Sequence, residues 1–433
     1  MDRAGTFLEY FDLMLYVHMA VLLNELFFPK TDAHTATIYS AAAFCSTFVF
    51  RPFGALLFGW VGDNYGRKSS VVITTFLMAI SCAIMATLPT YAQIGITATW
   101  LITICRIVQG VSSLGEIVGA ELYLTELIKN PAIQYPVVAI ISCFAGFGSV
   151  AALGVASIVT SQGFSWRIAF FIGTVIAITG GIARIRLRET PDFVDAKRQV
   201  QSSFNKAKVD INILEHDPVW KEKVNWKTSL AYLLIQCSWP VSFFLAYIYC
   251  GDILKKLFNY HTEEIIRHNL IVAIVQLAGG LILRTYLSSK VHPLKILRLF
   301  LVVFSLFIVV CPYWLNNIHS PFELLLIQSI IVVFGLGDAP AVPIFFKYFP
   351  VFKRFSYSSF LYALSRALVY VVTSFSFVYL VEHFGNWGIL IITIPLSIGY
   401  RFGILHFEQL EMDNDNYSEK KFVEQLTPLN PVQ

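Results

Sequence analysis

The stretch "GWVGDNYGRK", residues 59–68, puts an acid, several glycines and two bases into one tight bend. Apolar runs of about 20 residues flank it, the length that crosses a hydrocarbon core of about 30 Å. Similar runs recur along all 433 residues, of which 56% are hydrophobic and 14% charged. Soluble chains carry about 25% charge. Most of the runs also lack the polar face of a soluble amphipathic helix. The reading is an all-α membrane protein, with the quoted bend as a turn between two spans.

Hydropathy gives twelve transmembrane helices, near 5–27, 38–60, 70–88, 97–127, 133–160, 167–187, 228–254, 266–288, 294–314, 321–346, 355–382 and 387–407. Asp252, Lys255 and Lys256 interrupt the pattern at the end of the seventh. Residues 1–187 then form an N-terminal six-helix bundle and 228–407 a C-terminal one. The polar, Asn/Lys/Gln-rich segment 188–227 reads as a linker, and 408–433 as a tail. Lys and Arg concentrate in the even-numbered connections and the linker, which places both termini in the cytoplasm. The first span starts almost at Met1 and is too long for a signal sequence, so it is read as a retained anchor. Seven cysteines fall inside apolar segments without a C-x-x-C pair, which argues against a disulfide framework or a metal cluster. No phosphate loop, H-E-x-x-H or G-x-S-x-G is present, and the bases follow membrane topology. An enzyme and a nucleic-acid partner are therefore not expected.

In the quoted turn, Gly59 and Gly66 permit close helix approach and a sharp reversal. Asp63 can pair with Arg67 or meet a helix N-terminus. Arg67 and Lys68 hold the turn at the cytoplasmic face. The pattern G-x-x-x-D-x-x-G-R-K, carried by Gly59, Asp63, Gly66, Arg67 and Lys68, resembles the loop signature of the major facilitator superfamily, with Asn64 where that family often has Arg. "GTFLEYFD" (from Gly5), "FRPFGALLFGWVGD" (from Phe50), "RIVQGVSSLGE" (from Arg106), "WRIAFFIG" (from Trp166), "RETPDF" (from Arg188) and "FPVFKRFS" (from Phe349) are similar to the metabolite:proton symporters, the proline/betaine members above all. The resemblance implies two six-helix halves and alternating access. It thins between 205 and 340. The matching turn of the second half reads "TYLSSKVHPLK", with Thr285, Ser289 and His292 at the signature positions. Asp338 is an acid the resemblance does not account for, and Lys347 stands where such permeases often carry Glu.

Ionisable groups inside a span cost roughly 2.5–3.5 kcal/mol each on insertion scales. Glu9, Asp12, Arg51, Arg106, Glu116, Glu121, Asp338 and Arg366 all fall within spans, so they must pair or line a wet interior. Depth along the helices makes Asp12 and Arg51 candidate mates, with Glu9 one turn away. Two roles are open for that cluster: stapling spans one and two, or handling proton and substrate. Arg106, Gln109 and Gly110 share one helical face. The resemblance implies that such an arginine couples proton movement to transport. Glu116 is the favoured proton carrier and Asp12 the second. Glu121 and Glu126 lie nearer the cytoplasmic end and read as gate or loop partners. Tyr16, Trp239, Tyr247 and Tyr362 are candidates for an aromatic box around a quaternary ammonium, although most aromatics in such a chain pack or face lipid.

These readings converge on a proton-coupled symporter of a small zwitterionic or carboxylate solute, monomeric in a bacterial inner membrane and without a cofactor beyond the coupling proton. The alternatives are an uncoupled facilitator or exchanger and a transport-inactive sensor.

Overall fold

The computed structural model describes residues 3–29, 45–128, 130–185 and 224–414. Within that range a few side chains, including those of Glu9, Asp12, Asp63, Arg67 and Glu116, fall outside the description. So do residues 186–223 of the linker region and 415–433 of the tail, while the last helix runs on through 408–413, which the sequence reading gave to the tail.

Among the described residues, twelve helical spans run in the expected order. The first half comprises α1 (Arg3–Phe27), α2 (Arg51–Asn64, preceded by a helical turn from Cys45), α3 (Arg67–Thr87), α4 (Ile96–Ser112 and Leu114–Leu127), α5 (Pro131–Ser161) and α6 (Arg167–Ile185). The second comprises α7 (Trp226–Gln236, continuing through further turns to Phe258), α8 (Thr262–Gly279, continuing to Tyr286), α9 (Pro293–Asn316), α10 (Pro321–Val333 and Val342–Lys347), α11 (Val351–Phe384) and α12 (Gly388–Asp413).

Local chemistry sets the ends. Asn225 caps α7 by accepting from the Lys227 amide at 3.0 Å. Asn259, in the left-handed region, closes it just after Lys255 and Lys256. Those bases and Asp252 therefore mark a helix end and do not break the span. Ser320 accepts from the Glu323 amide, and Pro321 occupies the first turn of α10. Gly66 has φ +111 at the head of α3, a backbone conformation that favours glycine.

The packing is that of a membrane domain. Leu306, Val309, Val310 and Tyr313 on α9 and Leu56, Leu57 and Trp60 on α2 point outward, while Arg51, Arg106, Gln109, Gln236 and Arg366 are buried. Apolar side chains outside and ionised ones inside is stable only where the surrounding medium is itself hydrocarbon.

Two expected continuous spans are interrupted. The fourth breaks for a single residue at Ser113, whose hydroxyl donates to the Gly110 carbonyl. The tenth is non-helical from 334 to 341, in "FGLGDAPA". Two glycines and a proline in eight residues cannot sustain the helical ladder. Single turns of π-helix occur in α7 (Phe244–Tyr249) and α8 (Gly280–Tyr286).

The halves meet mainly through α2 against α11 and α5 against α8. Glycine makes the first contact possible. A Cβ on Gly59 would lie 2.9 Å from Ser356 Cα, and one on Gly62 would lie 2.4 Å from the Phe355 ring. Within the first half, α2 and α4 touch backbone to backbone, because a Cβ on Gly110 would lie 2.0 Å from the Thr47 carbonyl oxygen.

Candidate functional site

Polar chemistry inside the bundle forms three groups. The first lies in the N-terminal half. Arg106 of α4 is 1% exposed; its guanidinium covers the Tyr16 ring of α1 at 3.5 Å, and its Nη1 donates to Gln109 Oε1 at 3.4 Å. Gln109 also reaches Cys82 Sγ at 3.2 Å. Arg106 and Gln109, read as sharing one helical face, thus also touch. Arg51 of α2, 2% exposed, lies against the Phe48 ring at 4.6 Å and acts on Arg106 through space. Two like charges this deep demand carboxylates nearby. Asp12 lies on α1 one turn before Tyr16, and Glu9 one turn before Asp12. Glu116 opens the second piece of α4 just beyond the Ser113 break. The backbone thus places all three expected acids on the elements that carry or touch Arg106.

The second group lies in the C-terminal half and was mostly not expected. Asp338, on the unwound stretch of α10, accepts from Gln236 Nε2 of α7 at 2.7 Å. Gln236 Oε1 in turn accepts from Arg366 Nη1 of α11 at 2.6 Å, and the same nitrogen reaches the Gln236 carbonyl at 3.0 Å. Arg366 covers the Tyr362 ring at 3.5 Å. Arg284 of α8 donates from Nη2 to the Gly335 carbonyl at 3.1 Å and faces Trp239 and Phe300. Tyr400 of α12 donates to the Gly337 carbonyl at 2.5 Å. The unwound backbone therefore has named partners for two of its carbonyls, as buried irregular backbone requires. Glu121, on α4 of the other half, is buried and acts on Asp338 and Arg366 through space. It belongs to this group and not to a loop.

The third group closes the end of the bundle that carries the 59–68 turn. Arg354 of α11 donates from Nη1 to Glu126 Oε1 of α4 at 3.2 Å, an ion pair between halves with the Glu126 side chain fully enclosed. Glu126 was read as a gate or loop partner, and its salt bridge joins the two halves. Gly59 and Gly62 seat α2 on the same end of α11. Lys68 is half-buried at the start of α3. The second half has no glycine-acid turn here, and its charges are paired elsewhere. Lys347 Nζ meets Glu411 Oε1 at 3.0 Å, Tyr348 donates to the same oxygen at 2.6 Å, and Arg298 pairs with Glu408. Lys347, in place of the usual Glu, thus has an acid partner on α12. His292 is buried beside this cluster and caps α9. Burial holds its imidazole down at about 4; Glu411 opposes that, and Lys295 and Lys347 reinforce it. Burial and the bond to Glu411 keep the Tyr348 phenol above its ordinary value.

Further contacts between the halves lie on the opposite side of the charged layer. His18 of α1 meets Tyr247 of α7 edge-on at 5.7 Å, and Phe48 of α2 lies 4.1 Å from Tyr370 of α11. The four candidates for an aromatic box, Tyr16, Trp239, Tyr247 and Tyr362, do not build one and pack instead, as most aromatics were read to do. Arg106 covers Tyr16, Arg366 covers Tyr362 and Arg284 faces Trp239, while Tyr247 packs on Phe243 and donates to Gln276. Buried arginines take those ring faces because the low-dielectric interior offers them little other solvation.

The sequence pattern described as Major Facilitator Superfamily matches residues 4–376. The chain belongs to that superfamily. Family membership and the apolar spans make it a multi-pass membrane protein. A proline/betaine transporter of Salmonella typhimurium is 28% identical over 288 residues, 64% of this chain and 55% of the relative. The inner membrane metabolite transport protein YhjE of Escherichia coli is 36% identical over 209 residues, 46% of this chain and 47% of the relative. A citrate-proton symporter of Klebsiella pneumoniae is 27% identical over 281 residues, 63% of this chain and 60% of the relative. The matches thus span about half of each relative. Among solved structures, the proton:xylose symporter XylE bound to 6-bromo-6-deoxy-D-glucose superposes with a TM-score of 0.74 over 96% of this chain and 94% of its own, at 16% identity. That likeness establishes the twelve-helix fold.

Proposed function

We propose that the chain is a proton-coupled symporter that imports a small polar solute across a bacterial inner membrane by alternating access, with both termini cytoplasmic. The observation that carries this reading is Arg106. It is sealed in the core of the N-terminal half, beside a second buried arginine and on the ring of Tyr16, and its Nε and Nη2 make no hydrogen bond to a described residue. A cation held in that setting stabilises a nearby carboxylate in its charged form, and its withdrawal favours the protonated one. Helix movement that changes the Arg106 distance therefore loads or releases a proton. Asp12, Glu9 and Glu116 are the acids assigned to that step, with Arg51 and Gln109 as their polar surround. The printed functions of the relatives, which include proline/betaine transport and citrate-proton symport, support the same class.

The Glu126–Arg354 pair and the glycines of the 59–68 turn form the gate on the cytoplasmic side. In this scheme Asp63, Gly66, Arg67 and Lys68 shape the turn. A membrane potential of 100 mV contributes roughly 2.3 kcal/mol per charge, enough to hold a neutral solute at a gradient of roughly fiftyfold with one proton.

Reconstituted vesicles test the reading. Uptake of a transported solute should follow an imposed proton gradient and collapse with an uncoupler. The variant Arg106→Gln should lose gradient-driven uptake and keep counterflow exchange. Wild-type uptake that ignores both gradient and uncoupler would show an uncoupled facilitator instead.

A further inference from the structure

We infer that the C-terminal group is the solute site, and that it is built for a zwitterion whose nitrogen carries hydrogens, an amino or imino acid, and not for a quaternary ammonium. The inference rests on the transport reading above and narrows its substrate. Arg284 would hold the carboxylate and Asp338 the ammonium.

Three observations converge. Asp338 is a half-buried acid on the stretch where α10 unwinds, and only one of its oxygens, Oδ2, accepts a hydrogen bond from a described residue. Non-helical backbone at membrane depth is tolerated where it lines a cavity or binds a ligand. Arg284 is also half-buried. Its Nη2 is tied to Gly335, its Nε is buried without a partner, and the π-helical turn of α8 carries it. Such turns occur often at functional sites. Arg284 and Asp338 act on each other through space, yet no ion pair joins them. Opposite charges held near each other but apart, each with unused hydrogen-bonding capacity, match a ligand that carries both charges.

The nitrogen's substitution follows from the aromatic rings. A quaternary ammonium has no hydrogen to donate and is recognised chiefly over open ring faces. Here Tyr16 and Tyr362 are buried under arginines, and Tyr247 is buried against Phe243. Trp239 is turned to Arg284. The acceptor on offer is the Asp338 carboxylate, which forms its strongest contacts with N–H donors.

The test is a methylation series on the purified full-length protein in detergent, read by calorimetry without a proton gradient: L-proline, N-methyl-L-proline and N,N-dimethyl-L-proline. Wild type should bind proline at least tenfold more tightly than the dimethyl compound. Asp338→Asn should bring the two within about twofold of each other, and Arg284→Lys should weaken proline at least tenfold. The inference is overturned by a dimethyl compound that binds as tightly as proline, by a wild-type protein that binds no proline, or by an Asp338→Asn variant with the wild-type ratio. The wild-type series needs no variant, so a misfolded mutant does not rescue the idea. Gradient-driven uptake of citrate with no proline binding would sink this site and leave the symporter standing.

Discussion

Helices α4 and α10 are both interrupted beside buried charge, and the two interruptions are made differently. The break in α4 is one residue, Ser113, which keeps helical dihedrals at φ −61, ψ −23, and its backbone neighbours are served by the local hydroxyls of Ser112 and Ser113. The break in α10 runs over eight residues and depends on distant partners, Arg284 from α8 and Tyr400 from α12. The first can bend alone. The second moves only if its neighbours move, which suits a place where ligand contact must be felt by several helices.

The sharpest way to break this contrast is at the inter-half gate, where the second piece of α4 meets α11. Glu126→Gln removes the carboxylate that Arg354 meets at 3.2 Å in a closed interface, and losing one member of a buried pair costs about 3–5 kcal/mol. Cysteines placed across α4 and α11 at that end should then cross-link far less readily than in wild type. Unchanged cross-linking would mean that the glycine contacts of α2 hold the end shut by themselves.

His292 tests whether the second half uses pH where the first uses a glycine turn. Its imidazole is held at about 4, against 6.5 when free. The folded protein therefore binds fewer protons than the unfolded chain between those values. Stability from this group is complete above pH 6.5 and is lost as pH falls toward 4, by about 3 kcal/mol in all. The thermal midpoint in detergent should drop across that window, and His292→Gln should flatten the drop.

Smaller effects bear on the two breaks directly. Tyr400→Phe removes the donor to the Gly337 carbonyl and should cost about 1–3 kcal/mol, the penalty for a buried unsatisfied acceptor. Ser113→Ala removes only a local bond within α4 and should cost about 1 kcal/mol or less. Equal losses in thermal midpoint would erase the difference drawn between the helices.

Much of the fold was legible along the chain. Runs of about 20 apolar residues have one stable solution in lipid. Arg51 and Arg106 stood out because charge in such runs is costly. The group around Asp338 was harder to read. Asp338 and Arg366 were visible as charges, but Gln236 and Arg284 were not singled out, since each is a single polar residue in an apolar run. "FGLGDAP" carries a signal in its two glycines and proline, but the stretch was read as part of a continuous span over 321–346. The family pattern drew attention to the N-terminal half, and Glu121 was read as a gate or loop partner because only its depth was known.

Composition and period alone determined that this chain spans a membrane twelve times, that its turn at 59–68 is built on glycine, and that its buried charges must turn inward. Those are one-dimensional facts, since hydrocarbon excludes charge wherever the helix lies. Which charges meet was decided only in three dimensions. Gln236 bridges Asp338 and Arg366, residues 102 and 130 positions away and on different helices. Arginines occupy the aromatic faces that an open box would need. Rotation and tilt of each helix set those meetings, and they come from packing against neighbours, not from the period of any one segment.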